Sequence, residues 1–261
     1  MIFCSLYSGS SGNSIFISTG KSKVLIDAGM PGKSIEKALK EIGETCENLD
    51  GIFVTHEHSD HIKGVGILSR KYNIPIFANT TTWEVMLNSI GKIKDVNVKI
   101  MNNTSVSIND MDIISYNIPH DAAAPCGYAL FHNNKKVCIA TDLGHFSSIV
   151  KDQLKDADVI LLESNHDVEM LKFGPYPYPL KRRILSDIGH LSNDACGQAI
   201  VELTNHKQKT IILGHLSRTN NFPELAYKTV VNILKENNIQ VDKDVILSLA
   251  KREMPSNFIE F

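Results

Sequence analysis

The stretch Gly51-Ile-Phe-Val-Thr-His-Glu-His-Ser-Asp-His61 governs the reading of the chain. Its apolar start, residues 52–54, is β-branched and aromatic, which predicts a buried strand. Thr55 follows, and then His56, His58, Asp60 and His61 arrive within six positions. Side chains alternate along extended backbone, so His56 and His58 are expected to point the same way. Asp60 and His61 come as the chain turns into its next segment. Imidazole and carboxylate are ligands of divalent transition metals such as zinc. A lone histidine at a strand end reads most simply as a solvated loop residue. Three of them with a carboxylate, at the end of a buried strand, would be a costly arrangement without a cation. The metal reading is preferred.

The remaining ligands are sought at other strand ends, where loops on a rigid sheet build sites. Ile118-Pro-His120-Asp, Ala140-Thr-Asp142-Leu-Gly and Leu213-Gly-His215-Leu-Ser217-Arg218 each follow a predicted strand. Taken singly, His120, Asp142 and His215 read as hydrogen-bonded loop residues. Taken with the first motif, their order and spacing resemble the metallo-β-lactamase superfamily of hydrolases. That resemblance implies two divalent metal ions. His56, His58 and His120 would hold one, Asp60, His61 and His215 the other, with Asp142 bridging. Two cations about 3.5–4 Å apart can share a hydroxide and polarise a phosphoryl or carbonyl oxygen together. Zinc, manganese and iron all suit nitrogen and carboxylate ligands, and the affinity order favours zinc over manganese. Asp27, at the end of a predicted strand, is expected to hold a ligand histidine from behind.

At 261 residues the chain can form one large domain or two small ones. One domain spanning residues 1–261 is expected. A hydrophobic content of 43% with 21% charged residues is that of an ordinary globular protein. A net charge of −2 gives no global push toward nucleic acid or anionic membrane, though it allows a local basic groove. The five cysteines are scattered without a Cys-x-x-Cys pair, so they read as reduced and mostly buried. Neither a signal peptide nor eighteen consecutive apolar residues is present, which predicts a cytoplasmic protein without membrane contact.

Strands are predicted at residues 2–6, 14–18, 23–26, 75–78, 96–100, 106–108, 113–118, 127–131, 137–140, 159–162, 211–213 and 245–249. Helices are predicted from about residue 34, over 62–72 despite Gly64 and Gly66, through the stripe Trp83, Met86, Leu87 and Ile90, and over 146–154, 178–188, 193–203 and 223–236. The order is strand-rich, with helices in both halves and no repeat visible in the sequence. It fits an α/β fold, a four-layer αββα sandwich of two mixed sheets with helices on both outer faces.

The substrate is read from further motifs. Ser8-Gly-Ser-Ser-Gly-Asn-Ser14 is most simply a hairpin turn, with anion contact through Asn13 and its neighbours as the minority reading. Leu162-Glu163-Ser-Asn-His166 follows a strand, and Gly189-His190-Leu-Ser192 caps a helix with Ser192. Lys181, Arg182 and Arg183 read as a solvated helix face. Together, Gly-Ser-Ser-Gly-Asn, Thr-His-Glu-His-Ser-Asp-His, Thr-Asp-Leu-Gly, Glu-Ser-Asn-His-Asp, Gly-His-Leu-Ser-Asn and Gly-His-Leu-Ser-Arg-Thr-Asn-Asn resemble the YycJ/WalJ family. The likeness covers nearly the whole chain. It implies a cytoplasmic phosphodiesterase with 5′-to-3′ exonuclease action, in which a metal-bridging hydroxide attacks phosphorus in line.

By the same resemblance Asp60, Glu163 and His166 are expected to be catalytic, with His166, backed by Glu163, as proton donor. His190, Ser217, Arg218 and Asn13 would contact substrate. The partner is nucleic acid, DNA ahead of RNA, or a small phosphodiester. Asp142 argues against β-lactam hydrolysis, because the antibiotic-hydrolysing branch lacks a bridging aspartate. A glyoxalase II-like thioester hydrolase with the same ligand set is the enzymatic alternative. A non-hydrolytic binding module is the other.

Overall fold

Alternation along the strands builds the layers. The computed structural model describes residues 1–102, 104–204 and 207–261. The first half supplies β1 (Ile2–Tyr7), β2 (Ser14–Ser18), β3 (Lys23–Ile26), β4 (Gly51–Phe53), β5 (Ile76–Ala78) and β6 (Val98–Ile100). Then come β7 (Ser105–Ile108), β8 (Met111–Asn117), β9 (Cys126–His132), β10 (Lys135–Ala140), β11 (Val159–Glu163), β12 (Lys209–Gly214) and β13 (Val245–Leu249). A last strand, β14 (Ser256–Glu260), returns to pair antiparallel with β1. Among the described residues these form two seven-stranded sheets, β14-β1-β2-β3-β4-β5-β6 and β13-β12-β11-β10-β9-β8-β7.

Both sheets share one wiring. β1 to β3 are antiparallel and β3 to β6 parallel; β7 to β10 are antiparallel and β10 to β13 parallel. This duplication of topology is invisible in the sequence, because it lies in connectivity and not in residue identity.

Phe3, Ile15, Ile17, Val24 and Ile26 of the first sheet meet Tyr128, Leu130, Ile139, Leu161 and Ile212 of the second in a central apolar layer. The alternate residues Cys4, Leu6, Phe16 and Leu25 face the opposite way, toward helices. Those helices are α1 (Gly32–Glu41), α2 (Ser59–Ile62), α3 (Val65–Tyr72) and α4 (Thr80–Ile90). Over the second sheet lie α5 (Ser148–Leu154), α6 (Val168–Phe173), α7 (Tyr178–Ile184), α8 (Asn193–Leu203) and α9 (Pro223–Glu236). Leu154, Ile200, Leu203, Val230 and Leu234 close that outer layer. The result is the expected αββα sandwich. Each large apolar side chain so buried contributes roughly 1.5–3 kcal/mol.

Several elements differ from expectation. The predicted helix over 62–72 is broken after α2, where Gly64 N–H donates to the Ala28 carbonyl at 2.7 Å. A Cβ at Gly64 would stand 2.4 Å from the Met30 carbonyl oxygen, so the break lets the loop after β3 come close. The helix predicted over 178–188 stops at Ile184, and His190 N–H donates back to the Ile184 carbonyl. Leu87 lies 43% exposed, outside the buried stripe of Thr82, Trp83, Met86 and Ile90. Neither β14 nor α6 is anticipated from the sequence. Ser192 caps α8 as expected, its hydroxyl accepting from Ala195 N–H at 3.1 Å. All five cysteines are buried and unpaired.

Candidate metal centre

Parallel strands end at one edge, and there the polar residues gather. β8 and β10 both run antiparallel to β9, and β10, β11 and β12 are parallel. Their carboxyl ends therefore deliver His120, Asp142, Glu163 and His215 to one side of the sandwich. The first sheet brings Asp27 after β3, Thr55, His56 and His58 after β4, and Asp60 with His61 on α2. Asp27, Asp142 and His215 adopt left-handed backbone at φ 60°, 63° and 55°. Such conformations cost about 1–3 kcal/mol each and persist where surrounding structure over-determines them.

The hydrogen bonds assign the ring protons. Asp27 accepts from Thr55 N–H and from the Thr55 hydroxyl, both at 2.8 Å, and His61 Nδ1 lies 2.8 Å from the same carboxylate. Thr55 Oγ1, having donated, accepts from His56 Nδ1 at 3.0 Å. His120 Nδ1 donates to the Gly189 carbonyl at 3.0 Å, and His215 Nδ1 to Glu163 at 2.7 Å. With Nδ1 committed to an oxygen, each of these four rings presents its Nε2 lone pair inward. Those lone pairs meet one another and carboxylates. His56 Nε2 lies 3.0 Å and His120 Nε2 3.4 Å from His58 Nδ1. His61 Nε2 lies 3.3 Å from Asp142 and 3.5 Å from Asp60, while His215 Nε2 lies 3.6 Å from Asp60. Asp142 Oδ2 and His215 Nε2 are buried without a hydrogen-bond partner.

Four groups of potential ligand atoms lie within 4.8 Å of one another: His56 with His58 and His120; Asp60 with His61 and His215; His56 with His61 and Asp142; and Asp142 with Glu163, His190 and His215. Converging lone pairs and orphaned acceptors fit divalent cations. The charges agree. Burial disfavours a charged His215, yet Asp142 and the Asp60 and Glu163 carboxylates raise its pKa to about 10. His61 is likewise raised well above its ordinary value, Asp142, Asp27 and Asp60 outweighing burial. Burial lowers His56, with the neighbouring imidazoles of His61, His120 and His58 adding to it, and in His120 burial outweighs the Asp142 and Glu163 carboxylates. The carboxylate side of the centre calls for positive charge, and the imidazole side offers neutral lone pairs.

Every expected metal-site residue is thus brought together. The expected role of Glu163 behind His166 is corrected. Glu163 accepts from Leu143 N–H at 2.7 Å and Leu191 N–H at 3.0 Å, and binds Nδ1 of His190 at 2.9 Å as well as His215. His166 is buried with neither ring nitrogen hydrogen-bonded, and burial lowers its pKa to about 4. Ser217 is buried and braces its own loop, its hydroxyl accepting from Asn220 N–H at 3.2 Å. Asn13 lies beneath the centre, its Oδ1 accepting from Gly9 N–H at 2.9 Å and its Nδ2 lying 3.1 Å from His61 Nε2. Arg218 is exposed and makes no ion pair among the described residues.

A cavity of 300 Å³ opens over the centre, walled by Ser10, Asp60, Asp142, Arg183, His190 and His215. A second of 540 Å³ shares Ser10, His58 and Asp60 and continues toward Lys63 and Ser89. Arg183, expected on a solvated helix face, is exposed on α7 and also walls the first cavity. It pairs with Asp121 through Nε and, at 3.0 Å, through Nη2. Its neighbours Lys181 and Arg182 conceal it in the sequence, since a run of three cations does not say which one faces inward.

The sequence profile described as the Metallo-beta-lactamase superfamily matches residues 7–215. The chain is 45% identical over 242 residues to a Streptococcus pneumoniae protein named exodeoxyribonuclease WalJ, covering 92% of this chain and 90% of that one. It is 41% identical over 255 residues to the Bacillus anthracis protein named exodeoxyribonuclease YycJ, covering 97% of each. A crystal structure of the metallo-β-lactamase fold protein YhfI from Bacillus subtilis superposes with a TM-score of 0.71, 14% identity and 98% coverage of both chains. On the matched profile and these long, near-complete similarities, the chain belongs to the metallo-β-lactamase superfamily.

Proposed function

We propose that the chain is a cytoplasmic phosphodiesterase that works with two divalent cations and digests DNA from the 5′ end. The observation that carries the hydrolase reading is the set of inward Nε2 atoms around Asp142, whose own Oδ2 is buried without a hydrogen bond. His56, His58 and His120 would hold one cation, Asp60, His61 and His215 the other, with Asp142 shared. Zinc suits this donor set best, with manganese and iron as alternatives. DNA is favoured by the two relatives named exodeoxyribonucleases. Unpaired cysteines support a reducing compartment. Among the described residues no helix is long and apolar enough to cross a membrane.

Bound divalent cations supply Lewis acidity at a phosphoryl oxygen and make water acidic enough to attack at neutral pH. The protein's own side chains do the rest. Glu163, fixed by two backbone N–H groups, orients His190 through Nδ1. The His190 ring keeps its other edge toward the cavity, where it donates a proton to the leaving oxygen. Arg183, aligned by Asp121, lines the same cavity and offers charge-assisted hydrogen bonds to a phosphate oxygen there.

The test is digestion of end-labelled duplex DNA, with and without a 5′ phosphate, by protein loaded with zinc or manganese. Stepwise shortening from the 5′ end is expected, abolished by chelator and by Asp142→Ala. Turnover of a small phosphodiester without DNA cleavage would keep the chemistry and discard the substrate. Turnover of neither, with hydrolysis of a glutathione thioester, would replace the proposal by the thioester hydrolase.

A further inference from the structure

The segment Phe173-Gly174-Pro175-Tyr176-Pro177-Tyr178 joins α6 to α7 and exposes two of its three rings, with Tyr176 half-buried. Phe173 is 84% and Tyr178 73% exposed, the two highest values among the large hydrophobic side chains described. A folded surface does not ordinarily present neighbouring large rings to water without an occupant. Pro175 and Pro177 fix φ and stiffen the connection, so the rings are held out at little entropic cost on binding.

The segment leans on a second loop. A Cβ at Gly174 would stand 2.7 Å from the Asn220 side-chain oxygen, so the connection packs directly against the loop carrying Arg218 and Phe222. Phe222 is 47% exposed and Arg218 is exposed. Arg182 and Arg218 make no ion pair among the described residues. In a chain of net charge −2, this is a local concentration of unneutralised cations beside exposed rings. The patch and the metal cavity share α7. Tyr178 opens the helix, and Arg183 near its end walls the 300 Å³ cavity. Five residues of helix, at about 1.5 Å and about 100° each, set the two about 8 Å apart along the axis and about 140° apart around it, so a strand gripped at Tyr178 crosses the helix to reach the cavity.

Rings that stack on bases, interleaved with cations that follow phosphates, match single-stranded nucleic acid. A duplex keeps its bases stacked on one another and offers the rings nothing. We infer that Phe173, Tyr178 and Phe222, with Arg182 and Arg218, form a stacking platform for the unpaired bases of a DNA strand whose scissile phosphodiester lies in the metal cavity. The inference rests on the nuclease reading and specifies its substrate: the strand is single where the protein grips it.

The test is fluorescence anisotropy with a labelled phosphorothioate oligothymidylate, alone and annealed to its complement, using the full chain. Because the three rings are exposed, thermal midpoint and circular dichroism check that Phe173→Ala, Tyr178→Ala and Phe222→Ala remain folded. Each substitution is expected to weaken single-strand binding roughly fivefold or more and to leave duplex binding unchanged. Arg182→Gln and Arg218→Gln should each flatten the slope of log affinity against log salt by about 0.7.

Ring variants with wild-type affinity overturn the platform and leave the rings to a protein partner. Equal losses for single strand and duplex overturn stacking. The two proposals fail separately. A wild-type protein that turns over bis(4-nitrophenyl) phosphate but does not bind the oligonucleotide keeps the phosphodiesterase and loses the platform. Ring-dependent binding without hydrolysis of any phosphodiester keeps the platform and loses the phosphodiesterase.

Discussion

Glu163 shows how far residue-scale reading goes. Its position just after a strand marks it as a site residue, and His166 three places on looks like its partner. In the fold the carboxylate faces sideways to loops that follow other elements, reaching His190 and His215 at 2.9 and 2.7 Å. Pairing across parallel connections is not local, so sequence proximity points to His166 while the carboxylate bonds His190 and His215. The candidate metal ligands were legible for the opposite reason: His56, His58, Asp60 and His61 form one local run after β4, while His120, Asp142 and His215 each follow a strand of the second sheet, and the strands themselves bring the ends together. His190→Ala is therefore expected to lower phosphodiester turnover roughly 10²–10⁴-fold while metal content per chain, read by mass spectrometry, stays at the wild-type level. His166→Phe should keep turnover within a few-fold of wild type, because its ring nitrogens bond to nothing in the fold. If the His166 variant were the inactive one, the corrected assignment would fail.

At the scale of elements, strands with clean apolar alternation were read almost to the residue, and the failures share a cause. β14 is a half-exposed edge strand, and α6 spans six residues anchored by the Asp167 cap and one buried leucine, so neither carries much periodic signal. The turn into β11 carries more. Asp158 accepts from Lys136 N–H at 2.8 Å and pairs with Lys207 at 2.8 Å, while its carbonyl accepts from Thr210 N–H, stitching β10, β11 and β12 at their start. Partial burial alone would raise its pKa, but the Lys207 hydrogen bond, the Lys136 N–H and the nearby ammonium charges set it below the ordinary 3.8. A carboxylate depressed in the folded state adds stability above its unfolded pKa and loses it as pH falls through the folded value. Asp158→Asn should thus cost about 1 kcal/mol at pH 7, and urea midpoints of variant and wild type should converge below pH 4. A gap that persists unchanged into acid would show that the carboxylate's charge is not what stabilises the turn.

For the whole molecule, the duplicated wiring raises the question of whether two halves fold separately, and three features argue for one cooperative unit. The central layer is shared, Phe3 and Ile26 of one sheet packing in the same cluster as Tyr128 and Leu161 of the other. β14, from the end of the chain, completes the sheet begun by β1, and Phe261 N–H donates to the Met1 carbonyl at 3.1 Å. The polar centre draws His56, Asp60 and His61 from the first half and His120, Asp142 and His215 from the second. Separating the halves would expose the middle layer and dismantle the centre together. The chain reports on both halves without added probes. Its single tryptophan, Trp83, lies on the buried face of α4, with Cys46 in the same helical layer of the first half, and Cys196 is buried in the outer layer of the second. Trp83 fluorescence and thiol labelling of Cys46 and Cys196, resolved by peptide mass, should share one urea midpoint. Loading with zinc should shift all three upward by the same amount, because a ligand bound only by the native state stabilises everything that unfolds with it. A lower midpoint for Cys196 than for Cys46 would mean that the second half opens alone, and zinc would then move only the transition that carries the site.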